Sequence, residues 1–235
     1  GRSTLESPVE DEPCRNCVCL LIRLSLNPGK VAAEYGFRKA VTVEELHSNW
    51  PHLYPDMPPP EKDSKGTVDA ILDQGGAGQG IAAVLIMTDP LMWGRELQVV
   101  CDVLRAERGD LAGANGNAAK LHQHVQVHNA CSDFTYAARW PVARFGAGAF
   151  RVALENLWLI LTATREGADG QPLSQLLYGK PFPAQYRFVE SMLCEIAAAL
   201  PAAGGGCDDS LDRFYMVGDN PETDIRGARD AGPHW

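Results

Sequence analysis

The sequence has no apolar run of the roughly 18 residues that a membrane-crossing helix requires. Its longest apolar stretches, VCLLI at 18–22 and IAAVLIM at 81–87, are strand-sized. Nor is there an excess of positive charge: 21 Lys+Arg face 30 Asp+Glu, for a formal net charge of -9. No global basic field therefore exists to hold nucleic acid or an anionic membrane surface, and neither is expected as a partner. A disulfide framework is also missing, because the seven cysteines are odd in number and scattered over a chain long enough to build a core. They point to a reducing, intracellular compartment. Cys14 and Cys17 form a CxxC with no second pair or His pair at zinc spacing, which reads as a loop entering a strand, with half a metal site or a redox pair as the alternative. The opening GRSTLESPVEDEP has neither Met nor a basic-then-apolar leader, so no targeting signal is legible in it.

What is present suits a globular α/β protein: 45% of the 235 residues are hydrophobic and 22% charged. Residues 18–26 read as a buried strand, followed by a helix that Asn27 caps and that ends near Gly36. The stretch 50–80 holds five prolines and ends in GGAGQG, so it should be mostly irregular, with a boundary near its end. A second strand at 81–87 precedes a helix marked by Trp93, Leu97, Val100 and Leu104. KLHQHVQV alternates like a half-exposed strand, and helices are expected over 148–164, with the stripe Phe150, Leu154, Leu157 and Leu161, and over 184–200, with Tyr186, Val189, Leu193, Ile196 and Leu200 on one face. RFYMV at 213–217 reads as a strand whose carboxyl end delivers Gly218 and Asp219 into a loop, where ligands of open parallel sheets bind.

The chemistry concentrates in MVGDNPETDIRGARDAG, which sets Asp219 and Asp224 around one strand-to-helix turn. Two carboxylates suit Mg2+, which usually takes one or two and fills its other positions with water and substrate phosphate. The plainer alternative is that Asp219 opens an ordinary turn while Thr223 or Asp224 caps the next helix. Upstream, Tyr178-Gly179-Lys180-Pro181 holds an ammonium between a residue that gives room and one that stiffens the backbone. Such a charge can offset a phosphoryl group, although a lone loop lysine is ordinarily just solvated. His122, His124 and His128 alternate onto one face and read either as a transition-metal cluster or as a polar strand face. RFGAGAF lacks the third glycine of a dinucleotide fingerprint because Arg151 stands there.

The order GKP, helix, strand, GDxxxxD resembles the class IIA hydrolases of the haloacid dehalogenase (HAD) superfamily, specifically over 178–232. A looser resemblance, in AAEYGFRKAVTVEEL, AVLIMTDPLMWGRELQVVCDVL, RWPVARFGAGAF and YGKPFPAQYRF, reaches the subfamily of haloacid dehalogenase-like hydrolase domain-containing protein 5. The resemblance implies a Rossmann-like core at 1–78 and 176–235, incomplete here, with an α/β cap at 79–175. It implies phosphate ester hydrolysis on a small phosphorylated metabolite through an aspartyl-phosphate, with Lys180 as the catalytic, phosphate-binding cation. Mg2+ would lie at Asp219 and Asp224, and Asn129 and Asp133 would stand on the substrate side. Relatives are often mitochondrial. The family's upstream DxDG, which supplies the nucleophile, is absent, since Glu10-Asp11-Glu12 neither follows an apolar strand nor matches it. A partial chain is therefore expected, and a non-catalytic HAD-fold binding or scaffold protein is the alternative.

Overall fold

The computed structural model describes residues 17–22, 32–60, 80–111, 122–163, 169–199 and 211–235. Its centre is a parallel sheet of five strands: β1 (Val18–Ile22), β2 (Lys39–Thr42), β3 (Ile81–Ile86), β4 (Gln126–Asn129) and, as the fifth in space, β7 (Gln175–Leu177). The order is β2-β1-β3-β4-β7. Between β4 and β7 the chain inserts a two-stranded antiparallel ribbon, β5 (Thr135–Tyr136) and β6 (Arg144–Phe145). The fold class is therefore α/β, as expected.

The apolar runs explain the topology. Every residue of β1 is buried, as a strand covered on both faces must be. One face packs Leu20, Ile22, Val41, Val84, Ile86 and Val127 against three helices, α1 (Val43–Asn49), α2 (Trp93–Arg105) and α3 (Ala147–Thr162). The other gathers Cys19, Leu21, Ala83 and Leu85 with Ala32 and Phe37. Helix α1 starts at a capping box in which Thr42 accepts from the Glu45 amide and the Glu45 carboxylate accepts from the Thr42 amide. Helix α2 realises the expected periodicity. Because β1 and β2 share this sheet with β3, β4 and β7, it runs unbroken across the boundaries expected at 78/79 and 175/176.

Three expectations change. Helix α3 buries Phe150, Leu154, Trp158 and Thr162, leaving Leu157 and Leu161 exposed. The large indole at 158 wins the inward position, which turns the stripe by one residue. Helix α4 (Pro183–Ala199) forms, but of its residues only Tyr186 is fully buried, and Ile196 is half exposed. Residues 213–217 are not a strand: Phe214 is buried, while Tyr215 and Val217 are 79% and 93% exposed. The alternation suits a strand, but none of the described strands pairs with the segment, and a strand exists only through its ladder partner. The chain then enters a π-helical turn at Pro221–Ile225 and ends in the short helix α5 (Arg226–Ala231). The expected features at 67–72, 204–206, Glu10–Glu12 and Cys14 lie outside the described residues.

Candidate active site

The carboxyl ends of three neighbouring strands supply the site. β3 leads to Asp89, β4 to the loop 129–133, and β7 to Tyr178-Gly179-Lys180. The last two are fastened together: the Tyr178 amide donates to the Asn129 carbonyl at 2.9 Å, and the His128 and Tyr178 rings stack with Nδ1 2.9 Å from the phenol oxygen. Gly179 lies so close to the Ala130 carbonyl that a Cβ would come within 2.3 Å of it. Only glycine lets the backbone pass there, and it is this passage that aims Lys180.

Lys180 Nζ donates to Asp224 Oδ1 at 2.5 Å. Asp224 Oδ2 accepts from the Asn220 amide at 3.2 Å, and the Tyr186 hydroxyl donates to the carbonyls of Thr223 and Asp224 at 3.2 and 3.0 Å. Asp224 is only 2% exposed. The hydrogen bond from Lys180 holds its carboxyl below the usual carboxylate range, against the opposing effect of burial. That same bond raises the Lys180 pKa, outweighing desolvation, with the charges of Asp224 and Asp133 adding to it. The capping role belongs to Asn220, whose side chain accepts from the Glu222 amide at 3.0 Å. Asp224 is therefore a partner of Lys180 and not a helix cap.

Asp219 stands on the outer side of the same loop, exposed, and no described side chain or amide holds its carboxylate. Gly218 beside it has no room for a side chain, since a Cβ would sit 2.3 Å from Asp224 Cγ. Gly218→Ala should push the Asp224 carboxylate off Lys180. We expect a loss of about 1–3 kcal/mol in urea unfolding, and a retained midpoint would contradict the packing.

Asp133 faces this group through its charge, and its Oδ1 is buried without a hydrogen bond. Asn129 turns its amide away, donating to Gln175 Oε1 at 2.8 Å in a chain that continues through Glu155 to Arg151. Asp133 is thus brought near Lys180, whereas the Asn129 amide is engaged elsewhere. His122 and His124 are exposed ahead of β4 while His128 is buried against Tyr178. No metal-holding group of three or more His, Cys, Asp or Glu exists among the described residues, so of the two readings of these histidines the transition-metal cluster is set aside.

Tyr186 and Asp89 were not singled out from sequence. Tyr186 read as one more apolar-stripe residue. Asp89 Oδ1 accepts from the Ala147 amide at 2.7 Å and so caps α3 from a distant loop; the Asp-Pro pair after a strand was its only signal.

The donor set fits Mg2+. One exposed carboxylate with water on its open side, backed by a second carboxylate fixed by an ammonium, is the kind of partial protein shell that this ion accepts. A family model described as HAD-hydrolase-like matches residues 177–234, the segment that holds Lys180, Asp219 and Asp224. Over this segment the chain resembles HAD-like hydrolases.

The chain is similar to a mitochondrial hydrolase of Saccharomyces cerevisiae, 30% identical over 163 residues, covering 64% of this chain and 44% of the relative. It is also similar to a cardiolipin synthase (CMP-forming)/mitochondrial hydrolase fusion protein of Schizosaccharomyces pombe, 26% identical over 204 residues, covering 86% of this chain and 31% of the relative. The chain thus spans less than half the length of these two curated relatives. A solved structure of a possible sugar phosphatase of the HAD superfamily from Cytophaga hutchinsonii aligns with a TM-score of 0.47 and 16% identity, covering 92% of this chain and 53% of that one.

Proposed function

We propose that the full-length protein is a magnesium-dependent HAD phosphohydrolase of class IIA, acting on a small phosphorylated metabolite and residing in the mitochondrion, as the names of its relatives suggest. The observation that carries this reading is the Lys180–Asp224 pair beneath the exposed Asp219, at the carboxyl edge of a parallel sheet. Asp219 would hold the magnesium ion directly, and Asp224 would support it from behind. Bound there, the ion would neutralise phosphoryl charge. Lys180 would present its ammonium to the phosphate while Asp224 keeps it protonated and fixed in direction. The loop 129–133 and the ribbon β5–β6 would wall the site, exclude water and select the substrate. Sheet continuity favours treating 18–177 as one cap-like α/β unit, with 178–235 carrying the motifs. The aspartate that accepts the phosphoryl group in this chemistry would have to come from outside these 235 residues.

A second reading, a binding or scaffold protein that keeps the HAD fold, is favoured by the absence of any DxDG in this sequence. Phosphate release from an aryl phosphate by the full-length protein separates the two. The hydrolase should turn over with millimolar Mg2+, stop on chelation with EDTA and recover when Mg2+ is returned. Magnesium binding without phosphate release would sink the hydrolase reading and leave the scaffold.

A further inference from the structure

Between Asp133 and α3 the chain runs out and back as the ribbon of β5 and β6. Its root is fixed: the Gly146 amide donates to the Phe134 carbonyl and the Gly148 amide to the Asp133 carbonyl, each at 2.9 Å. The Phe145 ring meets Phe134 edge-on at 5.9 Å and lies 6.3 Å from Trp93 of α2, which in turn packs against the buried Phe150. Around and beyond that root the apolar side chains face outward. Phe134, Tyr136, Trp140, Val142 and Phe145 are all exposed, Trp140 by 64% and Val142 by 62%. Large apolar groups gathered on one short element in this way mark a surface that takes a partner.

Charge selects the partner. The chain as a whole carries 30 Asp+Glu against 21 Lys+Arg, yet between Asp133 and Glu155 it holds Arg139, Arg144 and Arg151 and no carboxylate. The carboxylates that bound this stretch are committed elsewhere: Asp133 acts on Lys180, and Glu155 accepts from Arg151 and Gln175. Arg139 and Arg144 are exposed, and neither takes part in an ion pair among the described residues. Tryptophan and tyrosine settle at the headgroup level of a bilayer, and arginine reaches lipid phosphates from there while its stem stays in apolar surroundings. A second copy is a poorer occupant, because ribbon against ribbon would set the same arginines against each other.

We propose that the ribbon 134–145 is a docking tip for an anionic lipid bilayer, in which Trp140 and Val142 enter the interface and Arg139 and Arg144 meet the phosphate headgroups. The attachment is peripheral, since no described helix is long and apolar enough to cross a membrane. It is also local: the chain's formal charge of -9 repels the same bilayer, so attraction rests on this ribbon. Docking does not depend on the role of Lys180.

Co-sedimentation of the full-length protein with vesicles tests this. Vesicles of equal parts phosphatidylcholine and phosphatidylglycerol should carry the protein down, pure phosphatidylcholine vesicles should carry far less, and added salt should weaken the binding. Arg139→Gln and Arg144→Gln should each lower the partition onto the mixed vesicles about fivefold, and Trp140→Ser should lower it on both kinds of vesicle. All three side chains are exposed, so urea midpoints should stay in place and separate lost docking from lost folding. No binding to the mixed vesicles, equal binding to both kinds, or a partition that none of the three variants changes would overturn the proposal. A dimer that Trp140→Ser dissolves in the absence of lipid would also overturn it, and would give the ribbon to a second copy.

Discussion

In the full-length protein, Asp219→Asn is expected to cut magnesium-dependent phosphate release at least about a hundredfold while leaving the fold intact. The substitution keeps the shape of the side chain and removes its charge, and charge is what a hard divalent cation selects. Because the Asp219 carboxylate is exposed and held by no described residue, its loss should alter stability by less than about 0.5 kcal/mol. Turnover measured across a magnesium titration distinguishes the two ways of failing. A higher magnesium requirement with recoverable turnover would mean that Asp219 only helps to bind the ion. Unchanged turnover and unchanged magnesium dependence would remove Asp219 from the site altogether.

The second large effect concerns stability, and it is asymmetric. Lys180→Met should destabilise the chain by about 3 kcal/mol, because it strands the Asp224 carboxylate where only 3% of the side chain meets water. Asp224→Asn should cost less, about 1–2 kcal/mol, since Lys180 is 31% exposed and can turn its ammonium to solvent once unpaired. Urea unfolding at neutral pH orders the two variants. The reverse order would mean that the lysine, not the aspartate, is the trapped partner.

The pH dependence has a definite sign at each end. Asp224 has a lowered folded pKa, so its contribution is present above the unfolded value of 3.8 and is lost as pH falls through the folded one. Lys180 has a raised folded pKa, so its contribution is present below 10.5 and is lost as pH rises through the folded value. Between those limits the pair holds, and Lys180→Met should flatten the acid side of the stability curve.

Local signals in the sequence were sufficient for some parts of this arrangement. The 3.6-residue recurrence of Trp93, Leu97, Val100 and Leu104 was enough to find α2, and the fully apolar VCLLI was enough to mark a strand covered on both faces. Lys180, Asp219 and Asp224 were visible in the sequence through the resemblance of GKP and GDxxxxD to HAD motifs, and the structure brings Lys180 and Asp224 together. Their division of labour was not. Nothing in the spacing says that Asp224 spends one oxygen on Lys180 and the other on the Asn220 amide, because those contacts join residues 44 apart and across a turn. The same reason hid Asp89, which caps a helix 58 residues away.

The errors share a cause. RFYMV has every residue a strand wants, yet pairing is decided by what lies alongside, and that is information from elsewhere in the chain. On α3 the period was right and the phase was not. Leu157 and Trp158 compete for one inward direction, and the volume available against the sheet settles it in favour of the indole, which is completely buried.

The unladdered stretch at 213–217 has a bearing on how this chain behaves in a tube. Tyr215 and Val217 stand in water beside a backbone that no described strand pairs, and such an edge invites another copy to zip alongside it. What keeps copies apart is their common formal charge of -9. That repulsion shortens its reach to roughly 10 Å at 0.1 M salt, so self-association of the isolated chain is expected to increase as ionic strength rises, which light scattering across a salt series would check.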